Sequence, residues 1–214
     1  MTERLRGLYV ITEDRRCGPE ALRGAVQAAL HGGARIVQYR DKGSDPTRRL
    51  AEARTIADLC RTQGALFLVN DDVDLAVAAM ADGVHLGRHD QDVATARSRL
   101  PASGLIGVSC YDRFDRALQA EAQGADYVAF GSFFPSPTKP DAARAGPELL
   151  ARARQELSLP TVAIGGISPE NGAALVRAGA DMLAIISGVF AAPDVTVAAR
   201  AYSHCFTTAE ESQP

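Results

Sequence analysis

Eight times along this chain a short apolar run is followed by a longer amphipathic one. Few folds accept that rhythm. Leu8-Tyr9-Val10-Ile11, Arg35-Ile36-Val37-Gln38-Tyr39, Leu66-Phe67-Leu68-Val69 and Gly83-Val84-His85-Leu86 read as the first four strands. Leu105-Ile106-Gly107-Val108, Tyr127-Val128-Ala129-Phe130, Thr161-Val162-Ala163-Ile164 and Met182-Leu183-Ala184-Ile185-Ile186 read as the other four. Helical spacing fills the intervals over 20–31, 46–62, 73–80, 93–100, 113–123, 147–156, 169–178 and 195–206. Strands that are apolar throughout, each followed by a helix, predict a parallel sheet covered on both faces. Eight units in one domain predict an α/β fold, a single-domain (β/α)8 TIM barrel over 1–206, ahead of an open doubly wound sheet. The polar run 207–214 is expected to be a disordered tail. An internal echo agrees with the repeat. Gly33-Ala34-Arg35, Gly124-Ala125-Asp126 and Gly179-Ala180-Asp181 each stand between a helix and a strand, where glycine can close the helix.

The composition narrows the function. A length of 214 residues, 46% hydrophobic, suits one domain with a sizeable core. The net charge of −3 comes from interleaved basic and acidic residues, which gives no electrostatic case for a nucleic-acid or membrane partner. No run approaches the ~20 apolar residues of a membrane span. Met1-Thr2-Glu3-Arg4 carries no apolar signal core, and Cys17, Cys60, Cys110 and Cys205 are scattered. The expectation is a cytoplasmic protein with reduced thiols and no zinc site.

Barrel chemistry sits at the C-terminal ends of the strands, so the residues just after each strand are the candidates. Gly165-Gly166 and Ser187-Gly188 follow strands seven and eight, where barrels commonly bind phosphate, and glycines there let backbone N–H groups approach an anion. Asp71 and Asp90 follow strands three and four and are candidates for magnesium, which accepts one or two carboxylates plus substrate oxygens and water. The plain alternative for an aspartate there is helix capping, a role expected of Asp72 and Asp74. Arg40 and Lys42, two apart, point to one side of strand two. Their plain alternative is a solvated rim pair with Asp41 and Glu52. Lys139 sits in a long loop stiffened by Pro135, Pro137 and Pro140. Ser109 offers a hydroxyl to the same ligand, while Cys110 points the other way. His85, inside a strand, reads as a satisfied core histidine, and His89 as a weak proton-transfer candidate. Phe130, Phe133 and Phe134 read as packing residues, one of which could stack on a flat heterocycle.

Seven segments then fall in order. They are Leu8-Tyr9-Val10-Ile11-Thr12, Val37-Gln38-Tyr39-Arg40-Asp41-Lys42-Gly43, Asn70-Asp71, Asp82-Gly83-Val84-His85-Leu86-Gly87, Gly107-Val108-Ser109, Phe134-Pro135-Ser136-Pro137-Thr138-Lys139 and Ala163-Ile164-Gly165-Gly166-Ile167. Together the chain resembles the thiamine-phosphate synthase family over roughly 8–187. The resemblance implies a transferase that joins 4-amino-2-methyl-5-hydroxymethylpyrimidine diphosphate to a thiazole phosphate, with or without a 2-carboxylate, by dissociative loss of diphosphate. It implies Gln38, Tyr39, Arg40, Asp41, Lys42, Asn70, Ser109 and Lys139 at the pyrimidine diphosphate. It implies Ser136, Pro137, Thr138, Gly166, Ile186 and Ser187 at the thiazole phosphate, and Mg2+ on Asp71 and Asp90. Arg40, Lys42, Ser109 and Lys139 form the expected catalytic set, the three cations meeting the charge that grows on the leaving diphosphate. The implied partners are these small molecules, and exposed barrel helices leave room for a homo-oligomer.

The chain departs from the family pattern in places. Tyr39 stands where leucine is usual, which is expected to narrow the neighbouring space. Arg88 and His89 add positive charge before Asp90. Two other readings compete. A thiazole tautomerase-like relative would need an acid–base side chain rather than a metal, and a non-catalytic thiamine-phosphate sensor would keep only the phosphate loops.

Overall fold

A computed structural model describes residues 4–13, 18–88, 90–135 and 144–211, with the side chains of 210 and 211 left aside. Eight parallel strands close into a ring in sequence order. They are β1 (Gly7–Ile11), β2 (Ala34–Tyr39), β3 (Leu66–Asn70), β4 (Gly83–Leu86), β5 (Leu105–Tyr111), β6 (Tyr127–Gly131), β7 (Thr161–Ile164) and β8 (Met182–Ile185). The ring closes where β1 pairs with β8, Leu8 opposite Leu183. Around it run α1 (Pro19–His31), α2 (Pro46–Gln63), α3 (Val73–Ala78), α4 (Val93–Arg99), α5 (Phe114–Ala122), α6 (Pro147–Glu156), α7 (Pro169–Ala178), the single turn α8 (Ser187–Phe190) and α9 (Val195–Glu211). This is the predicted barrel.

Strand alternation divides the core in two. One set of side chains, including Val10, Val37, Tyr39, Val69, Val108 and Cys110, packs outward against the helices. The other, including Tyr9, Ile36, Leu68, Tyr127, Val162 and Met182, fills the barrel interior. Helix starts are set by local chemistry. Asp45 accepts from the N–H groups of Thr47 and Arg48, both at 3.0 Å, and Pro46 follows it. Asp72 accepts from Leu75 at 2.9 Å and Asp92 from Thr95 at 2.8 Å. Each such cap contributes about 1 kcal/mol. Asp72 therefore has the capping role expected of it, whereas Asp74 pairs instead with Arg99.

The Gly-Ala-Asp echo has a structural cause. Asp126 Oδ2 accepts from the Ile106 N–H at 2.7 Å while its own N–H donates to the Ile106 carbonyl. Asp181 makes the same pair of bonds with Thr161, and Asp82, at the equivalent place before β4, makes it with Phe67. These aspartates clamp the starts of β5, β7 and β3 and fix strand heights at the base of the barrel. Arg35, the matching residue of the first echo, already lies inside β2 and has no carboxylate to make such a clamp.

Two expectations need correction. Helix α9 continues to Glu211, with Ala209 2% exposed, so most of the run expected to be a disordered tail is helical. The apolar positions Tyr202, Cys205 and Ala209 keep a buried stripe through the polar stretch. Strand β5 runs past Val108 to Tyr111 through a bulge. Ser109 opposes Ala129 and Tyr111 opposes Phe130, which leaves Cys110 as the extra residue. Among the described residues no helix is long and apolar enough to cross a membrane. Cys60, Cys110 and Cys205 are free and buried; Cys17 lies outside the described residues.

Candidate active site

Inward-facing positions two apart on each strand climb to the C-terminal mouth. Ile36 leads through Gln38 toward Arg40, Leu68 to Asn70, His85 to Gly87, and Gly107 to Ser109. The mouth therefore gathers residues distant in sequence. Lys42 Nζ bonds Asp71 Oδ2, and Asn70 Nδ2 donates to the same oxygen at 2.5 Å. Asp90 turns back over its own loop, Oδ2 accepting from the Gly87 N–H at 2.6 Å. The Asp71 and Asp90 carboxyls adjoin beside Gly87, where a Cβ would lie 2.9 Å from Asp90 Oδ2 and 3.9 Å from Asp71 Oδ1.

Asp71 itself has a φ of 63°, a left-handed conformation uncommon outside glycine though tolerated by aspartate. Its N–H donates to the His85 carbonyl at 2.8 Å, which holds the turn. The electrostatics of the pair are asymmetric. Burial pushes Asp71 up, but hydrogen bonds from Asp90 and Lys42 outweigh it and hold the carboxyl below the usual range. Burial and the bond to Asp71 push Asp90 up. Two adjoining carboxyls of this kind call for a shared proton or a cation.

Among the described residues no group of three or more His, Cys, Asp and Glu forms a metal cage. A two-carboxylate site with hard oxygen donors fits magnesium, which keeps places for water and phosphate oxygens.

Beneath the mouth a buried hydrogen-bond chain crosses the barrel. Gln38 Nε2 donates to Tyr9 Oη at 2.5 Å, and Tyr9 Oη lies 3.0 Å from Tyr127 Oη. Tyr127 Oη lies 3.0 Å from His85 Nδ1, and His85 Nε2 lies 2.9 Å from Ser109 Oγ. Burial pushes Tyr9 up to about 12 and His85 down to about 4, so both stay neutral near pH 7. His85 is thus a satisfied core histidine as expected, but its satisfaction reaches Ser109. The sequence reading missed Tyr9 and Tyr127. The available signal was Gly107, since an isolated glycine inside a strand marks a close approach. A Cβ on Gly107 would lie 1.9 Å from Tyr127 Cζ.

Some expected residues stand elsewhere. Tyr39 points outward. Its hydroxyl donates to Glu52 Oε2 at 2.6 Å among buried side chains, so it does not narrow the mouth. Asp41 and Glu52 pair with Arg48 at 2.8 Å each, which removes them as partners for Arg40 and Lys42. Among the described residues no carboxylate pairs with the Arg40 guanidinium; its backbone N–H donates to Thr12 Oγ1 at 2.8 Å. Arg88 lies 4.9 Å over the Tyr111 ring. Phe130 and Phe133 pack in the outer core with Phe134 against it.

At the far side of the mouth Gly165 and Gly166 have φ of 101° and 63°, and a Cβ on Gly166 would lie 2.4 Å from the Pro135 carbonyl oxygen. Ile186 is half-buried, and Ser187 is exposed at the start of α8. Ser136, Pro137, Thr138, Lys139 and His89 lie outside the described residues.

A closed barrel whose mouth joins paired carboxylates, a lysine and glycine turns after β7 belongs with enzymes that handle phosphorylated small molecules. The family profile described as Thiamine monophosphate synthase matches residues 8–189. The chain belongs to that family. It is 53% identical to the thiamine-phosphate synthase of Thioalkalivibrio sulfidiphilus over 204 residues, 95% of this chain and 97% of the relative. It is 55% identical to that of Halorhodospira halophila over 196 residues, 92% of each chain. The solved thiamine phosphate pyrophosphorylase of Pyrococcus furiosus superposes with a TM-score of 0.86 at 37% identity, covering 96% of this chain and 98% of that one.

Proposed function

We propose that this chain is a thiamine-phosphate synthase. It joins 4-amino-2-methyl-5-hydroxymethylpyrimidine diphosphate to 4-methyl-5-(2-phosphoethyl)thiazole, or its 2-carboxy form, to give thiamine monophosphate and diphosphate. The bond from the pyrimidine methylene to the diphosphate oxygen breaks, and a bond from that methylene to the thiazole nitrogen forms. The observation that carries the reading is the meeting of Lys42, Asn70, Asp71 and Asp90, from the ends of β2, β3 and β4, at one mouth.

Arg40, Lys42 and Lys139 hold the diphosphate oxygens and meet the charge that develops on them as the group departs. Asn70 and Ser109 add hydrogen bonds to the same substrate. Gln38 donates one amide N–H to Tyr9, which leaves its second N–H and its carbonyl oxygen for the ligand. Asp41 keeps the β2 end in place through Arg48. Tyr39 supports it from outside through Glu52. Ser136, Pro137, Thr138, Gly166, Ile186 and Ser187 hold the thiazole phosphate and bring its nitrogen to the methylene, so that capture is local. Asp71 and Asp90 would hold Mg2+, which would supply neutralising positive charge for the diphosphate oxygens. Contact between those two carboxyls favours this over a tautomerase-like reading, which needs no such pair.

The test is product formation from both substrates with magnesium and with a chelator. Thiamine monophosphate formed only with the metal is expected. No product at any magnesium concentration overturns the proposal.

A further inference from the structure

We propose that His85 is a positioning residue for Ser109. The buried chain from Gln38 through Tyr9 and Tyr127 keeps the imidazole proton on Nε2. That N–H occupies a lone pair of the Ser109 hydroxyl and turns the hydroxyl proton outward into the mouth.

The direction follows from counting protons. A phenol has one proton to donate, and a neutral imidazole has one N–H and one acceptor nitrogen. Gln38 Nε2 donates into Tyr9 Oη. The Tyr9 proton then goes to Tyr127 Oη, its neighbour at 3.0 Å. The Tyr127 proton is left for His85 Nδ1, also at 3.0 Å. With Nδ1 accepting, the ring carries its proton on Nε2, which faces Ser109 Oγ at 2.9 Å. Ser109 accepts that bond and keeps its own proton for a ligand. The opposite polarity would make Ser109 the donor to His85 and leave only lone pairs facing the mouth.

The site is built to hold this order. Tyr9 is 1% exposed and Tyr127 0%, so bulk water has no access to reverse the phenols. Their rings meet edge to face at 6.2 Å, and His85 stacks on Tyr127 at 5.6 Å. Gly107 leaves room for the Tyr127 ring, since a Cβ there would lie 2.3 Å from the Tyr127 hydroxyl oxygen. Both ends of the chain, Gln38 and Ser109, are groups read above as contacts of the pyrimidine diphosphate. One rigid path thus anchors Gln38 at one substrate contact and sets Ser109 as the donor at the other. That part of the inference rests on the proposed activity; the imidazole tautomer does not.

The test has a spectroscopic arm and a kinetic arm. Long-range proton–nitrogen NMR spectra of 15N-labelled protein report the tautomer, with the His85 signals assigned by their loss in His85→Gln. Nε2–H is expected in the wild type, and Tyr127→Phe, which removes the donor to Nδ1, is expected to release the preference. An Nδ1–H ring in the wild type overturns the inference.

In kinetics, His85→Leu and Ser109→Ala are each expected to weaken kcat/KM for the pyrimidine diphosphate about tenfold, the scale of one buried hydrogen bond. The double variant is expected to be no worse than either, and the thiazole KM is expected to hold. His85→Gln, whose amide N–H reaches the Nε2 position, is expected to recover most of the loss. Additive losses, or equal losses for the Leu and Gln variants, overturn the inference. If His85→Leu does not fold, Tyr127→Phe replaces it in the cycle with the same expected pattern. A wild type inactive in condensation would refute the proposed activity, while the tautomer spectrum would still decide the hydrogen-bond chain.

Discussion

Lys42 and Asp71, 29 residues apart, meet at one carboxylate oxygen, the same Oδ2 that takes the Asn70 amide. The other contact of the Asp71 carboxyl is Asp90. A single aspartate therefore links the cation at the end of β2 with the second acid after β4. Asp71→Asn removes its charge while keeping its size. Turnover is expected to fall by roughly 100-fold or more, the usual cost of losing one preorganised electrostatic contact. The thiazole phosphate KM is expected to change little. Steady-state kinetics with each substrate varied in turn checks this, and equal damage to both parameters would count against a metal role.

Under the proposed activity, Lys139 would meet the departing diphosphate. Lys139→Ala is expected to slow single turnover of the pyrimidine diphosphate by one to two orders of magnitude, in roughly the range reported for such groups. Rapid-quench measurement of diphosphate release is the direct check. An unchanged rate removes the lysine from the mechanism.

Gly166 combines a left-handed φ of 63° with a missing Cβ that would sit 2.4 Å from a carbonyl oxygen. Gly166→Ala should meet both penalties, of which the backbone term alone is about 1–2 kcal/mol. A lower melting temperature and a raised KM for the thiazole phosphate are expected together. Retention of both would show that the turn is free to move.

His85 titrates near 4 in the folded chain against 6.5 when free, because burial disfavours the cation. Between those values the unfolded chain binds a proton that the folded one refuses, so stability falls as pH drops from about 6.5 to 4 and is unaffected by this group above that window. The full effect is on the order of 3 kcal/mol. Chemical denaturation of the metal-free protein across the window, wild type against His85→Gln, isolates it. The variant should show a flatter profile.

Tyr39→Phe should remove the bond to the buried Glu52, which keeps Arg48 at 2.8 Å. A loss of about 2 kcal/mol is expected, as for a hydrogen bond to a charged acceptor. Denaturant titration reads it. A large change in substrate KM instead would place the ring nearer the ligand than its outward packing implies.

All eight strands were readable from their apolar runs, because a strand covered on both faces cannot hide its composition. So was the gathering of Asp71, Asp90 and Lys42, which follows once each is assigned to a strand end. What escaped depends on heights and directions around the ring. Tyr9 and Tyr127 are 118 residues apart, and nothing in either run says that their hydroxyls meet. The Cys110 bulge needs the pairing register to be seen. The continuation of α9 was masked by polar residues on its exposed side, and the outward turn of Tyr39 by a family expectation about volume rather than direction.

With β1 joined to both β2 and β8, the sheet offers no unpaired border to another polypeptide. The loops at the mouth can therefore be exchanged or lengthened without giving fibril growth a template. That insulation makes this scaffold a suitable host for substituted rims.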